Sequence, residues 1–362
     1  MNTNKARNQI TKLYFIDGIG GLMIAGASWV ALLAARGFST VEIGLFESIF
    51  HVASMIFEVP SGAAADVFGR KKVMITASVM TIISSILMIF TNTFAGISVA
   101  MVFSALSYNL ASGTREALAY DSLKEAGIEN EYSKFASNDM VIYRLTSSLG
   151  TLMAGIALML GYKKANALDI LMAIAAILIG TTLMEPKSEL SHHTSVSARF
   201  KEVALESVRF IKENRKARLI IIFNAFIGAV ATLIVFFLQA KLPQLGIKTI
   251  WLGPALFSVG LGSVIGAKAI EYCTYLRYKY ASLFAVIGIA IAFGSIFTGS
   301  IALTMLGAFV GGFADSFIEV RSDVVLNNMI PSSQRATLMS INSFTFSVIM
   351  IILSPVFGWI FS

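Results

Sequence analysis

Apolar runs of about 20 residues follow one another along nearly the whole chain, and a soluble core has no room for so many. They lie at roughly 13–35, 41–65, 72–91, 95–122, 135–160, 165–184, 217–240, 250–274, 280–298, 300–329 and 336–361. In hydrocarbon every backbone N–H and C=O must be satisfied within its own segment, so each run is read as a membrane-crossing α-helix. Composition agrees: 56% of the 362 residues are apolar and 14% are charged, with mean hydropathy +0.76. Soluble domains carry about a quarter charged residues. The expected class is an all-α polytopic membrane protein with about 11 transmembrane helices. The single cysteine, Cys273, excludes an internal disulfide and a cysteine-based metal site. The N-terminal MNTNKARNQITK is polar and basic and leads into a span too long for the apolar region of a cleavable signal.

The connections are short except for 185–216. That gap divides the chain into a six-helix bundle at 1–184, a linker at 185–216 and a five-helix bundle at 217–362. Charge gives an orientation. With the N-terminus placed in the cytoplasm, the inside segments hold 20 lysines and arginines and the outside ones 5. Positive charge is retained on the cytoplasmic side of membranes. The expected location is therefore the cell (plasma) membrane, multi-pass, with the N-terminus cytoplasmic and, for an odd helix count, the C-terminus outside. The net charge of +7 is accounted for by this bias, so no nucleic-acid partner is expected. Within the linker, Phe200, Val203, Ala204, Val208 and Ile211 share one helical face of 198–213, the pattern of an amphipathic helix at a membrane surface. His192 and His193 beside it read as a solvated loop, and no metal site is expected.

Ionisable side chains inside spans are costly and are functional candidates by default. Asp17 lies in span one, in YFIDGIGG. Glu47, His51 and Glu58 share one face of span two, and Glu47 and His51, one turn apart, are placed to share a proton. Arg115 and Glu116 lie in span four and Arg144 in span five, where Glu116 and Arg144 are expected to pair across the helices. In span ten Asp315, Glu319 and Asp323 form an acidic stripe at i, i+4 and i+8. The candidates for coupling or substrate contact are Asp17, Glu47, His51, Glu116, Arg144, Asp315 and Glu319. Each also has a plainer reading, as a boundary residue or half of a structural ion pair. Glycines are dense in spans one, five, eight, nine and ten, which predicts close helix packing. No nucleophile–base set, metal-ligand spacing or nucleotide loop is present, so an enzyme is not expected, nor a cofactor.

Between spans two and three the chain reads GAAADVFGRKK, residues 62–72. Glycine at 62 and 69 allows a tight turn, and Arg70 can bind a carboxylate in bidentate fashion, with Asp121 in AYDSLKE as a partner. This run resembles the G-x-x-x-D-x-x-G-R-[KR] loop of the major facilitator superfamily. The resemblance implies two pseudo-symmetric helical bundles that alternate access to a central site. It also implies a gating latch formed by Gly62, Asp66, Gly69, Arg70, Lys71 and Asp121. EVPSGAAADVFGRKK, SGTREALAYDSL and RATLMSINS are together similar to the bacterial multidrug and macrolide efflux branch. The function so implied is proton-coupled export of amphipathic small organic compounds by a monomer, with protons and the lipid bilayer as partners. Symport uptake of a sugar, peptide or metabolite is the alternative within transport. The family has six helices per half, so the twelfth is apparently missing, and a truncated, non-transporting remnant is a third reading. The sequence departs from proton antiporters in two places. Tyr108-Asn109-Leu110 stands where an arginine is usual in span four, and span five has no Gly-Pro signature.

Overall fold

The computed structural model describes residues 1–186, 214–273, 275–329 and 335–362, and every regular element among them is a helix. The expected amphipathic helix at 198–213 and the histidines before it lie outside the described residues. The helices run α1 (Thr3–Gly21), α2 (Ile24–Ala27), α3 (Trp29–Ala35), α4 (Thr40–Phe68), α5 (Arg70–Phe90), α6 (Phe94–Ala111), α7 (Thr114–Glu125), α8 (Tyr132–Leu152), α9 (Ala154–Leu160) and α10 (Tyr162–Thr181). After residue 213 come α11 (Arg215–Gln244), α12 (Leu252–Ala269), α13 (Tyr278–Ser295), α14 (Ile301–Met329) and α15 (Arg335–Ile360).

Among the described residues 9 segments are long and apolar enough to cross a membrane, or 10 when α8 and α9, bent by 48° at Met153, count as one. The first expected span, 13–35, is instead three helices, α1 to α3. The reason lies 145 residues away. The buried Asp169 carboxylate of α10 accepts the backbone N–H groups of Ile24 (2.8 Å), Ala25 (3.3 Å) and Gly26 (3.0 Å). A carboxylate on free N–H groups is a strong helix start, and here it starts α2 in mid-span. Span four is also broken. Gly113, at φ +75, separates α6 from α7 and puts Arg115 and Glu116 into a fresh first turn.

The chain divides into two compact units. The first comprises Met1–Leu32 and Ile49–Ser197. Its helix α1 packs on α8, α10 and α7, and α5 packs on α6 and α10. Leu13, Met74, Leu118, Leu123, Phe135 and Leu183 close the core between them. Gln9 fastens α1 at both amide atoms: its Nε2 donates to Ser122 Oγ and the Met184 carbonyl, and its Oε1 accepts the Met184 N–H.

The second unit comprises Leu33–Ser48 and Ala198–Ser362, so the first turns of α4 belong to it. They lie against α15, where Thr40 Oγ1 donates to the Gly358 carbonyl (2.7 Å) and Ser48 Oγ to that of Ile351 (2.8 Å). At its centre α14 is gripped by α12 and α13. A Cβ at Gly262 or Gly266 would stand 2.3 or 2.1 Å from the Phe309 or Phe313 carbonyl oxygen. On the other side, one at Gly288 would stand 2.4 Å from Ala314 Cβ. Between membrane helices, where lipid removes the hydrophobic drive, such close backbone approach supplies the attraction.

Candidate functional site

In the first unit three carboxylates converge on one guanidinium. Asp17 of α1 and Asp139 of α8 have side chains 2% and 7% exposed, and Glu116 of α7 is 38% exposed. Arg115 Nη1 is bonded to Asp17 Oδ1, Nη2 donates to Glu116 Oε1 at 3.0 Å, and Nε lies 3.0 Å from Asp139 Oδ2. The Nε approach is too poorly aligned for a hydrogen bond, so that contact is electrostatic. The break at Gly113 makes the set: it starts α7 where its first turn faces α1 and α8, and an acidic residue there suits the helix dipole.

The charges do not balance. With all three acids ionised, one arginine leaves a net charge of −2 in a low-dielectric interior. Like charges at this distance repel one another unless a proton or another cation offsets them. Each acid also keeps one oxygen, Asp17 Oδ2, Glu116 Oε2 and Asp139 Oδ1, with no hydrogen-bond partner among the described residues. A spare oxygen on each carboxylate is where a proton would reside. Glu116 is the most exposed of the three. An open cavity of about 660 Å³ lies nearby, lined by Tyr14 and Asn138, close in sequence to Asp17 and Asp139, and by Arg7, Glu131 and Lys134.

Asp17 and Glu116 are thus brought together, but the expected partner of Glu116 is replaced. Its carboxylate goes to Arg115 of its own helix, and Arg144 is exposed on α8 with no side-chain ion pair among the described residues. Sequence reading missed Asp139. It sits in the polar run ASND, which reads as the solvated end of a span. Asp169 was missed too, and its single clue is an acid in mid-span. Glu47 and His51 are both buried on α4 and both engaged in interactions. Asp315 lines a cavity in the second unit, and Glu319 is exposed one turn further on.

The loop between α4 and α5 is a tight junction. Gly69 has φ +90, where a side chain is strained, and a Cβ there would lie 3.1 Å from Glu185. Arg70 pairs with Asp121 and donates from Nη1 to the Ala117 carbonyl at 2.6 Å. Glu185 accepts the backbone N–H groups of Arg70 (2.7 Å) and Lys71 (2.9 Å), and Lys71 Nζ donates to the Thr181 carbonyl (2.6 Å). Gly62 is exposed with open space around it. The side chain of Asp66 lies outside those described.

The model of the Major Facilitator Superfamily matches residues 13–272. The chain belongs to the major facilitator superfamily. It is 24% identical over 359 residues to an uncharacterised MFS-type transporter, YxaM, of Bacillus subtilis (strain 168), covering 95% of this chain and 87% of that one. Among solved structures it resembles the nucleoside transporter NupG, with TM-score 0.77, 14% identity, and 98% and 91% of the two chains covered. It also resembles a D-xylose–proton symporter, with TM-score 0.64, 15% identity, and 98% and 89% covered. At such identities these two likenesses establish the fold. The chain is accordingly a multi-pass membrane transporter of this superfamily.

Proposed function

We propose that this transporter exports amphipathic small organic compounds in exchange for protons, working by alternating access as a monomer in the cell membrane with its N-terminus in the cytoplasm. The observation that carries the coupling is the excess of acid around Arg115. A group of one guanidinium and three carboxylates that repel one another when ionised is a proton store, and the exposed edge at Glu116 gives it exchange with water. Its members come from α1, α7 and α8, so gaining or losing a proton changes the attraction that holds three helices together. The Arg70–Asp121 pair and the Glu185 cap brace the α4–α5 loop in one arrangement, as a latch must. Multidrug and macrolide efflux is the branch whose sequence runs this chain resembles. Symport uptake is the second reading, because the same store serves inward coupling, and two fold neighbours are named as a nucleoside transporter and a proton–xylose symporter.

Ethidium efflux from energised cells tests both. Uncoupler-sensitive efflux that is lost in Asp17→Asn and Glu116→Gln, with both proteins present in the membrane at wild-type level, is the expected result. Efflux unchanged by both substitutions removes the cluster from coupling. Absence of efflux, with proton-linked uptake of xylose or uridine in its place, turns the assignment to symport.

A further inference from the structure

In the second unit the half-buried Asp315 carboxylate lines a largely apolar chamber, with no counter-charge beside it among the described residues. The chamber measures about 210 Å³ and lies among α11, α12, α13 and α14. Its walls are apolar except for Asp315, Thr232 and Ser263, and none of these three side chains has a hydrogen-bond or ion-pair partner among the described residues. The charged group that acts on Asp315 is Glu319, of the same sign and one turn along. On α11, Gly228 leaves open the space beside the carboxylate: a Cβ there would lie 3.8 Å from Asp315 Oδ1 and 3.8 Å from Phe346 Cε2. Phe236 also lines the chamber.

A carboxylate in an apolar chamber without a counter-charge is retained at a cost of several kcal/mol unless it takes up a proton or a cation occupies the space beside it. The walls say what kind of cation fits. A bare metal ion needs about six oxygen ligands, and this chamber presents one carboxylate and two hydroxyls. An ammonium with an apolar body needs one carboxylate for its charge, a hydroxyl or two for its N–H groups and greasy walls for the rest. Aromatic faces add cation–π attraction. A cavity of about 150 Å³ holds a benzene ring, so this one has room for a ring with a short charged arm.

We propose that this chamber is a binding site for small organic ammonium ions, with Asp315 as the counter-charge. The proposal rests on the transport reading for its purpose and names a substrate class for it. It assigns the two acidic sites different tasks: the Arg115 group holds protons, and Asp315 holds the cation.

The test uses the purified full chain in lipid nanodiscs, with benzylammonium as probe and benzyl alcohol as its uncharged counterpart, read by calorimetry. Asp315→Asn is expected to weaken benzylammonium about tenfold or more and to leave benzyl alcohol unchanged, while Asp315→Glu retains binding. Gly228→Val, which fills the space beside the carboxylate, is expected to weaken both. Thermal unfolding of each variant identifies those that are folded. Equal benzylammonium affinity in folded wild type and Asp315→Asn, or none in folded wild type, overturns the proposal. Asp17→Asn separates it from the coupling reading. This variant is expected to bind benzylammonium as wild type does, while losing uncoupler-sensitive ethidium efflux. Binding intact with coupling also intact leaves the cation site standing and takes the coupling proton off Asp17.

Discussion

Arg115 stabilises the first unit by offsetting acids that would otherwise repel one another, so its removal and theirs are coupled. Arg115→Ala leaves three carboxylates bare and is expected to cost about 3 kcal/mol or more, seen as a lowered Tm. Adding Asp17→Asn to it removes one of the repelling charges and is expected to restore part of the loss. Additive effects in that double-mutant cycle would mean that the two residues do not share a charge. At the surface Arg7 and Glu131 make a simpler pair. The guanidinium hydrogen bond holds the Glu131 carboxyl below its ordinary value of 4.5. A depressed folded-state value means stability that is present above about 4.5 and lost as pH falls through the folded value. The Tm difference between wild type and Glu131→Gln is therefore expected at pH 7 and expected to vanish in acid. Residue by residue, the sequence made Asp17 and Glu116 visible because acids in apolar runs are rare. It did not show that Arg115, Asp17 and Asp139 meet, since the three sit on different helices and no spacing rule relates them. Glu116 adjoins Arg115 in sequence, and neighbours at i and i+1 ordinarily point apart. Only the fresh helix start after Gly113 lets the long guanidinium reach both sides.

Elements were legible where one segment decides its own fate. The uninterrupted apolar runs α5 and α11 to α14 are helices close to where their hydropathy places them. Elements that depend on a distant group were not. Span one is broken by a carboxylate on α10, and no reading of residues 13–35 alone contains that fact. Packing of α14 offers a test with its own control. Gly266→Ala forces a Cβ to 2.1 Å from the Phe313 carbonyl oxygen, whereas Gly260, also on α12, has nothing within 4 Å. Gly266→Ala is expected to lower Tm by an amount worth about 1–3 kcal/mol. Gly260→Ala is expected to be neutral or to gain up to about 1 kcal/mol from helix propensity. Equal effects at the two positions would mean that contact with α14 is not what Gly266 provides. The α4–α5 junction gives a third comparison. Glu185→Ala uncovers two N–H groups at the start of α5, and the loss of such a cap typically costs about 1 kcal/mol.

For the whole molecule, composition and the order of spans were enough to reach a polytopic helical membrane protein, and the resemblance carried by the loop at 62–72 suggested a transporter and its family. The cargo is not written in those features: Thr232, Ser263 and Asp315, which we propose to hold it, come from separate helices to one chamber. Alternating access gives the coupling reading a consequence that belongs to the molecule as a cycle. An exchanger must return after releasing its cargo, and in proton-driven export that return is made with the proton bound. A carboxylate fixed in its neutral form lets the carrier cycle with no proton to take up or release, and the cargo site at Asp315 is untouched, so Asp17→Asn should still let cargo exchange for cargo across the membrane while failing to exchange it for protons. Proteoliposomes separate the two. With ethidium on both sides, the variant is expected to exchange at a rate within a few-fold of wild type. Under an imposed pH gradient it is expected to accumulate none. Loss of both activities in a folded variant would instead make Asp17 part of the machinery that moves the helices. Retention of both would place the coupling proton on Glu116 or Asp139, the remaining acids on Arg115.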